Sequence, residues 1–204
     1  MISRSRGYLP HLETSEGTYF LTFRLADSLP TSVLINLKAE CLLKKNARIP
    51  GNLVLPKDEY NRKIEALLDT GAGECWLSDP NIASIVVEAL RHFDGQQYFL
   101  HAWTVMPNHV HVLFTLESSS KLSFIIQGWK GSSALQVNRL LNRTGRFWQP
   151  EYFDRLIKTN RQFEFYLRYI FNNPVKAGLC LEIFQWPWSG CSADLHHMVN
   201  RFFR

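Results

Sequence analysis

Val105-Met106-Pro107-Asn108-His109-Val110-His111-Val112-Leu113-Phe114 is the stretch on which the reading of this chain turns. Successive side chains of a strand point to opposite faces. Val110, Val112, Phe114 and Leu116 therefore share one wholly apolar face, as a strand packed on a core requires. His109 and His111 leave together from the other face. Two imidazoles so placed are spaced to chelate one divalent cation, because neutral imidazole is a common metal ligand. Such a pair also occurs simply hydrogen-bonded or exposed, so spacing alone leaves both readings open.

Working outward, residues 98–105 form a second strand-like run, and Met106-Pro107-Asn108 joins it to 109–116 as a hairpin. Residues 18–25 are rich in β-branched and aromatic side chains and predict a first strand. A helix is expected over about 31–45, with Ser28 or Thr31 as possible caps. Residues 46–73 read as a Pro/Gly-punctuated connection holding a helical segment near 57–68. Asp79-Pro80 opens a helix to about Phe93, with proline at its favoured first position. A helix over about 122–141 and a short strand over 152–157 follow the hairpin. Thr159-Asn160-Arg161-Gln162 has capping-box spacing and opens a helix expected to end near Pro174. The tail from about 178 reads as irregular. This order predicts an α+β, ferredoxin-like (RRM-like) antiparallel sheet with packed helices, its strand order left open. The whole chain, 1–204, reads as one domain, extended around 46–73.

In the last predicted helix, Phe163, Tyr166, Leu167 and Ile170 make an amphipathic stripe. At roughly 100° per residue, Tyr169 falls beside that stripe and Asn173, four residues on, projects from the same side. The pair is placed to look into a pocket bordering the sheet; an aromatic at the core edge is the plainer reading of Tyr169. The chemical attraction of the pair is specific. A phenol of pKa roughly 10 is a poor nucleophile unaided at neutral pH. A cation held by two imidazoles and an amide oxygen would neutralise charge developing at phosphorus. A phosphotyrosine conserves the energy of the phosphodiester, which suits cutting and rejoining DNA rather than hydrolysing it.

Composition fits an ordinary globular protein, 46% hydrophobic and 20% charged over 204 residues. No run of about eighteen apolar residues is present, so no membrane span is expected. Residues 1–7 carry charge without an apolar stretch behind them, unlike a secretory signal, which places the chain in the cytoplasm. Cys41, Cys75, Cys180 and Cys191 lie far apart with no Cys-x-x-Cys pair, against a zinc knot and in keeping with reduced thiols. The net charge of +5 is unevenly spread. Residues 118–150 hold Lys121, Lys130, Arg139, Arg143 and Arg146 and no acidic residue, with Phe124, Trp129, Phe147 and Trp148 among them. Cations for phosphates and rings for bases suit a single-strand surface, although a solvated basic helix with core aromatics has the same composition.

Met106-Pro107-Asn108-His109-Val110-His111 resembles the His-hydrophobic-His (HUH) motif of single-tyrosine transposases. Tyr169-Ile170-Phe171-Asn172-Asn173-Pro174-Val175-Lys176-Ala177-Gly178-Leu179 resembles the segment that carries their catalytic tyrosine. Arg6-Gly7-Tyr8-Leu9-Pro10-His11 and Tyr19-Phe20-Leu21-Thr22-Phe23-Arg24 are similar to the N-terminal segment, and Gly145-Arg146-Phe147-Trp148-Gln149-Pro150-Glu151-Tyr152-Phe153-Asp154 to the stretch before the tyrosine helix, of the REP-associated tyrosine transposases. The resemblance touches most of the chain, 46–73 being the least familiar part. It implies His109, His111 and Asn173 as metal ligands, Tyr169 as the nucleophile that ends on the 5′-phosphate, and magnesium or manganese as the metal. It implies single-stranded DNA hairpins formed by palindromic repeats as substrate. Arg4 and Arg6 would take part in reading an adjacent guide sequence, and Lys130, Arg143, Arg146 and Trp148 are further candidates for DNA contacts. Monomer and homodimer both remain open.

Two competing readings use the same residues. A nonenzymatic single-stranded nucleic-acid-binding domain would need neither metal nor Tyr169. A metal-dependent hydrolase would use water and keep Tyr169 structural. His101 is expected on the same face as Trp103 and would approach the site if the hairpin registers simply. His196-His197 reads as a surface pair.

Overall fold

The computed structural model of the chain describes residues 2–6, 9–46 and 56–203. Its centre is an antiparallel sheet of five strands: β3 (Thr18–Arg24), β4 (Tyr98–Val105), β5 (His109–Leu116), β6 (Phe153–Ile157) and β7 (Ser189–Cys191), in the order β6-β3-β5-β4-β7. Without β7 this is the strand order of a ferredoxin-like sheet, with a helix crossing between β3 and β4 and another between β5 and β6. Those helices are α3 (Pro80–Arg91) and α4 (Leu122–Leu140). Alternation along the strands divides the interior in two. Tyr19, Leu21 and Phe23 of β3, with Val110, Val112 and Phe114 of β5, pack under α3 and α4 around Val86, Leu90, Ile126 and Trp129. Phe20 and Leu113 face the other side, against Leu167, Ile170 and Phe171 of α5 (Asn160–Lys176) and Val199 of α6 (His196–Phe202).

An N-terminal hairpin of β1 (Ile2–Arg6) and β2 (Leu9–Glu13), absent from the expectations above, forms a separate two-stranded sheet. Helices α1 (Thr31–Asn46) and α2 (Pro56–Leu68) fill the long connection before α3. Three expectations change. The tail is not irregular: β7 adds to the β4 edge and α6 covers the second core. The tyrosine helix runs through Pro174 to Lys176, because a proline costs one backbone bond while the last turn still closes through Ala177 N to Asn173 O and Leu179 N to Pro174 O. Gly178, at φ 72°, then ends it in the left-handed conformation open to glycine. A β-bulge between Leu100 and Ala102 breaks the alternation and turns Trp103 toward the α3/α4 core. His101 stays on the face of the histidine pair, packs on Phe163 and bonds Thr115 Oγ1 at 2.7 Å, four residues along β5 from His111.

Candidate active site

Both histidines of β5 point to the α5 side, and both are fully buried. Register explains what holds them: Thr22 of β3 lies directly opposite His111. Its Oγ1 is 2.8 Å from His111 Nδ1. Asn108, the last residue of the hairpin link, has Oδ1 2.7 Å from His109 Nδ1. The Asn108 amide nitrogen donates to Leu68 O at 3.1 Å and Ala72 O at 2.9 Å. With both N–H groups on carbonyls, its oxygen must face His109, so Nδ1 of His109 donates and Nε2 keeps its lone pair. The two Nε2 atoms stand 3.0 Å apart. In the resting pair the His111 Nε2–H donates across this gap and Thr22 donates to Nδ1. Rotation of the Thr22 hydroxyl lets it accept instead, which exposes a second lone pair at His111 Nε2. Two nitrogens bound at right angles about 2.1 Å from one ion also lie about 3.0 Å apart. The donor set therefore fits a divalent cation, with both far ring nitrogens oriented as ligating imidazoles require. Burial pushes His109 down to about 3, and it holds His111 well below the usual imidazole range, aided by His109 and Lys176. Both rings are neutral, as ligation demands.

Tyr169 reaches this pair from α5. The helix begins at Thr159, whose Oγ1 accepts from Gln162 N at 3.2 Å, and its apolar stripe seats Leu167 and Ile170 on the sheet. That seating turns the Tyr169 ring onto His111, centroids 5.2 Å apart, and against Phe20 at 5.6 Å. Its hydroxyl is buried without a hydrogen-bond partner, and so are both amide atoms of Asn173 and Oδ1 of Asp69. Orphan buried polar atoms cost about 1–3 kcal/mol each, so such a cluster fits a pocket built for a polar ligand. Burial, then the Glu65 and Asp69 carboxylates, hold the Tyr169 phenol far above its ordinary pKa. At rest it is a protonated, unreactive group. Among the described residues no third His, Cys, Asp or Glu joins the two histidines as a metal-binding cluster.

The least familiar segment contributes more than expected. Glu65 of α2 neighbours the Tyr169 hydroxyl, and its carboxyl is raised to about 7 by burial, with Tyr169, Lys176 and Arg155 acting the other way. Asp69 receives the Lys176 ammonium at 2.7 Å. Past α2, Gly73 (φ +89°) runs so close to Asp27 that a Cβ would lie 2.8 Å from its carbonyl oxygen. Sequence reading missed Thr22, Asn108, Glu65, Asp69 and Lys176. A lone threonine in the apolar run 19–23 was a usable signal for Thr22; nothing local marks Glu65.

The remaining candidates separate. Lys130, Arg146 and Trp148 share a groove of about 470 Å³ with Gln127 and Tyr152, on the α4 side of the sheet. Lys130 donates to Gln149 O at 2.6 Å and Pro150 O at 2.9 Å and lies over the Tyr152 ring. Arg146 is exposed, while Arg143 lies over Trp76 and Phe147. Trp148 is 4% exposed and donates to Ser133 Oγ at 2.9 Å, so its ring belongs to the core rather than to a stacking surface. Arg4 and Arg6 fall on β1, and their side chains lie outside the described residues.

Comparison with known proteins adds to this geometry. Residues 80–173, which hold both histidines, Tyr169 and Asn173, match the family model for IS200-like transposases. The chain is 27% identical over 101 residues to the REP-associated tyrosine transposase of Escherichia coli, covering 47% of this chain and 56% of that one. It is 28% identical over 101 residues to a putative REP-associated tyrosine transposase of Haemophilus influenzae, covering 45% and 57%. The matches thus span little more than half the length of these relatives. A solved structure of a REP-associated tyrosine transposase bound to a REP hairpin shares the fold at a TM-score of 0.51 and 18% identity, over 100% of this chain and 88% of that one. Over residues 80–173 this chain is similar to the IS200-like transposases, and it resembles the REP-associated tyrosine transposases.

Proposed function

We propose that this protein is a metal-dependent single-stranded DNA endonuclease and strand transferase, acting in the bacterial cytoplasm beside hairpins of palindromic repeats. One observation carries the reading. A tyrosine and a histidine pair, far apart in sequence, meet in the buried interior, where the tyrosine hydroxyl and the neighbouring amide have no partner of their own. A solved REP-associated tyrosine transposase that shares this fold is bound to a REP hairpin, which supports hairpin DNA as the partner. His109, His111 and Asn173 would hold Mg²⁺ or Mn²⁺, a metal that would lower the charge on a phosphate oxygen when bound. Two imidazoles make manganese at least as suitable as magnesium, which prefers oxygen. Asn108 and Thr22 orient the rings. Tyr169 Oη attacks phosphorus, the 3′-oxygen leaves, and the products are a 5′-phosphotyrosine and a free 3′-hydroxyl. Because the helix supplies Tyr169 to histidines of its own chain, a monomer contains the whole set. Arg143, Arg146 and Lys130 would bind DNA phosphates along the α4 groove, and Arg4 and Arg6 the flanking sequence.

The test is incubation with Mn²⁺ and a labelled single-stranded hairpin oligonucleotide, read on denaturing gels for DNA attached to protein. A metal-dependent adduct lost in Tyr169→Phe and His109→Ala is expected. Cleavage without an adduct would favour the water-using hydrolase, and binding without cleavage the nonenzymatic module.

A further inference from the structure

We propose that Glu65, on the helix inserted before the family-matched segment, is the group that receives the Tyr169 proton as the phenol attacks. The inference rests on the transposase reading above. Three contacts fix the end of α2 against the site. Lys176, two turns beyond Tyr169 on α5, pairs with Asp69 at 2.7 Å. Asn108, which orients His109, holds the carbonyls of Leu68 and Ala72. Glu65 lies one turn before Asp69, on the stretch these contacts pin, and stands next to the Tyr169 hydroxyl without closing a hydrogen bond of ordinary geometry. A loose apo contact of this kind suits a proton acceptor that tightens on substrate. The groups around the carboxylate are Tyr169 and Lys176 of α5, Asp69 beyond its own helix, and Arg155 of β6. Of the two carboxylates that act on the phenol, Glu65 is the one within side-chain hydrogen-bonding reach of its hydroxyl, while Asp69 holds Lys176 through one oxygen. The step balances with water alone: Oη forms the bond to phosphorus as the bond from phosphorus to the 3′-oxygen breaks, the phenol proton passes to the Glu65 carboxylate, the departing 3′-oxygen takes a proton from water, and Glu65 returns its proton to solvent. The α2 insertion is on this account part of the catalytic machinery.

The experiment measures single-turnover adduct formation and hairpin affinity for wild type, Glu65→Gln and Glu65→Ala, the last with and without added formate. A proton acceptor predicts a loss of roughly 100-fold or more in the adduct rate of Glu65→Gln. Hairpin affinity should be unchanged, and formate should partly restore Glu65→Ala. An unchanged rate in Glu65→Gln overturns the proposal. So does a slow Glu65→Gln whose hairpin affinity and thermal stability fall with the rate and whose alanine variant ignores formate, because that pattern is structural. A wild-type chain that forms no tyrosine adduct fails earlier, at the transposase reading, and is thereby distinguishable.

Discussion

Replacing Asn108 with alanine probes how the histidine pair is held. The side chain makes three hydrogen bonds, buried ones of 2.7 Å to His109 Nδ1 and 3.1 Å to Leu68 O and a part-buried one of 2.9 Å to Ala72 O. Truncation strands a donor and two acceptors in a region where Asn108 and His109 are both 0% exposed. At about 1–3 kcal/mol for each orphaned group, and with partial rehydration of the loop carbonyls, the expected loss is about 3 kcal/mol or more. Removing the partner that orients a ligating imidazole is also expected to weaken metal binding about 10–100-fold. Urea denaturation gives the first quantity, and calorimetric titration with Mn²⁺ the second. Asn108→Asp sharpens the test: it keeps an acceptor for His109 but turns carboxylate oxygen toward two carbonyls, so it should be no more stable than the alanine variant. An Asn108→Ala protein within about 1 kcal/mol of wild type, binding Mn²⁺ with unchanged affinity, would refute the reasoning.

Tyr169→Phe should leave stability unchanged or raise it by up to about 1 kcal/mol, since the deleted hydroxyl is a buried group without a partner; a clear fall in urea midpoint would contradict this. Lys130 is pushed down to about 8 by burial, with Arg146 and Arg24 adding and Glu151 opposing. The unfolded chain keeps the ordinary lysine value, holds more protons between the two values, and so stability should rise with pH above about 8. Lys130→Met should flatten that rise, and identical slopes in the two proteins would refute the assignment. A Cβ at Gly190 would lie 2.4 Å from the Trp103 ring. Gly190→Ala should therefore cost about 1–3 kcal/mol by forcing β7 off β4, measurable as a lowered urea midpoint.

Much of the fold was written locally. Both hairpin strands have the expected bounds because strict alternation fixes their facing, and the short Met106-Pro107-Asn108 link fixes their pairing. The tyrosine helix announced itself through its cap and stripe. What stayed hidden depends on partners distant in sequence. The strand β7 is three residues long and exists only because the β4 edge offers it a ladder. The bulge beside residue 101 has no local signature, so Trp103 was assigned the wrong face. In the candidate site, the shared facing of His109 and His111 and the placement of Tyr169 toward the sheet were legible from spacing. Glu65 was not, because its neighbours lie on α5 and β6, and a glutamate on a polar helix reads as solvated. Trp148 shows the opposite failure: basic residues around it suggested a stacking platform, while its indole N–H is satisfied inside the core.

The central claim is a covalent bond between Tyr169 and DNA. Its most direct test is mass spectrometry of the protein digested after reaction with a hairpin oligonucleotide and Mn²⁺. The account predicts a peptide spanning the end of α5 that carries a 5′-linked nucleotide fragment on Tyr169 and vanishes when EDTA replaces Mn²⁺. Cleaved DNA with no nucleotide on any peptide, or with the nucleotide on another residue, would contradict it.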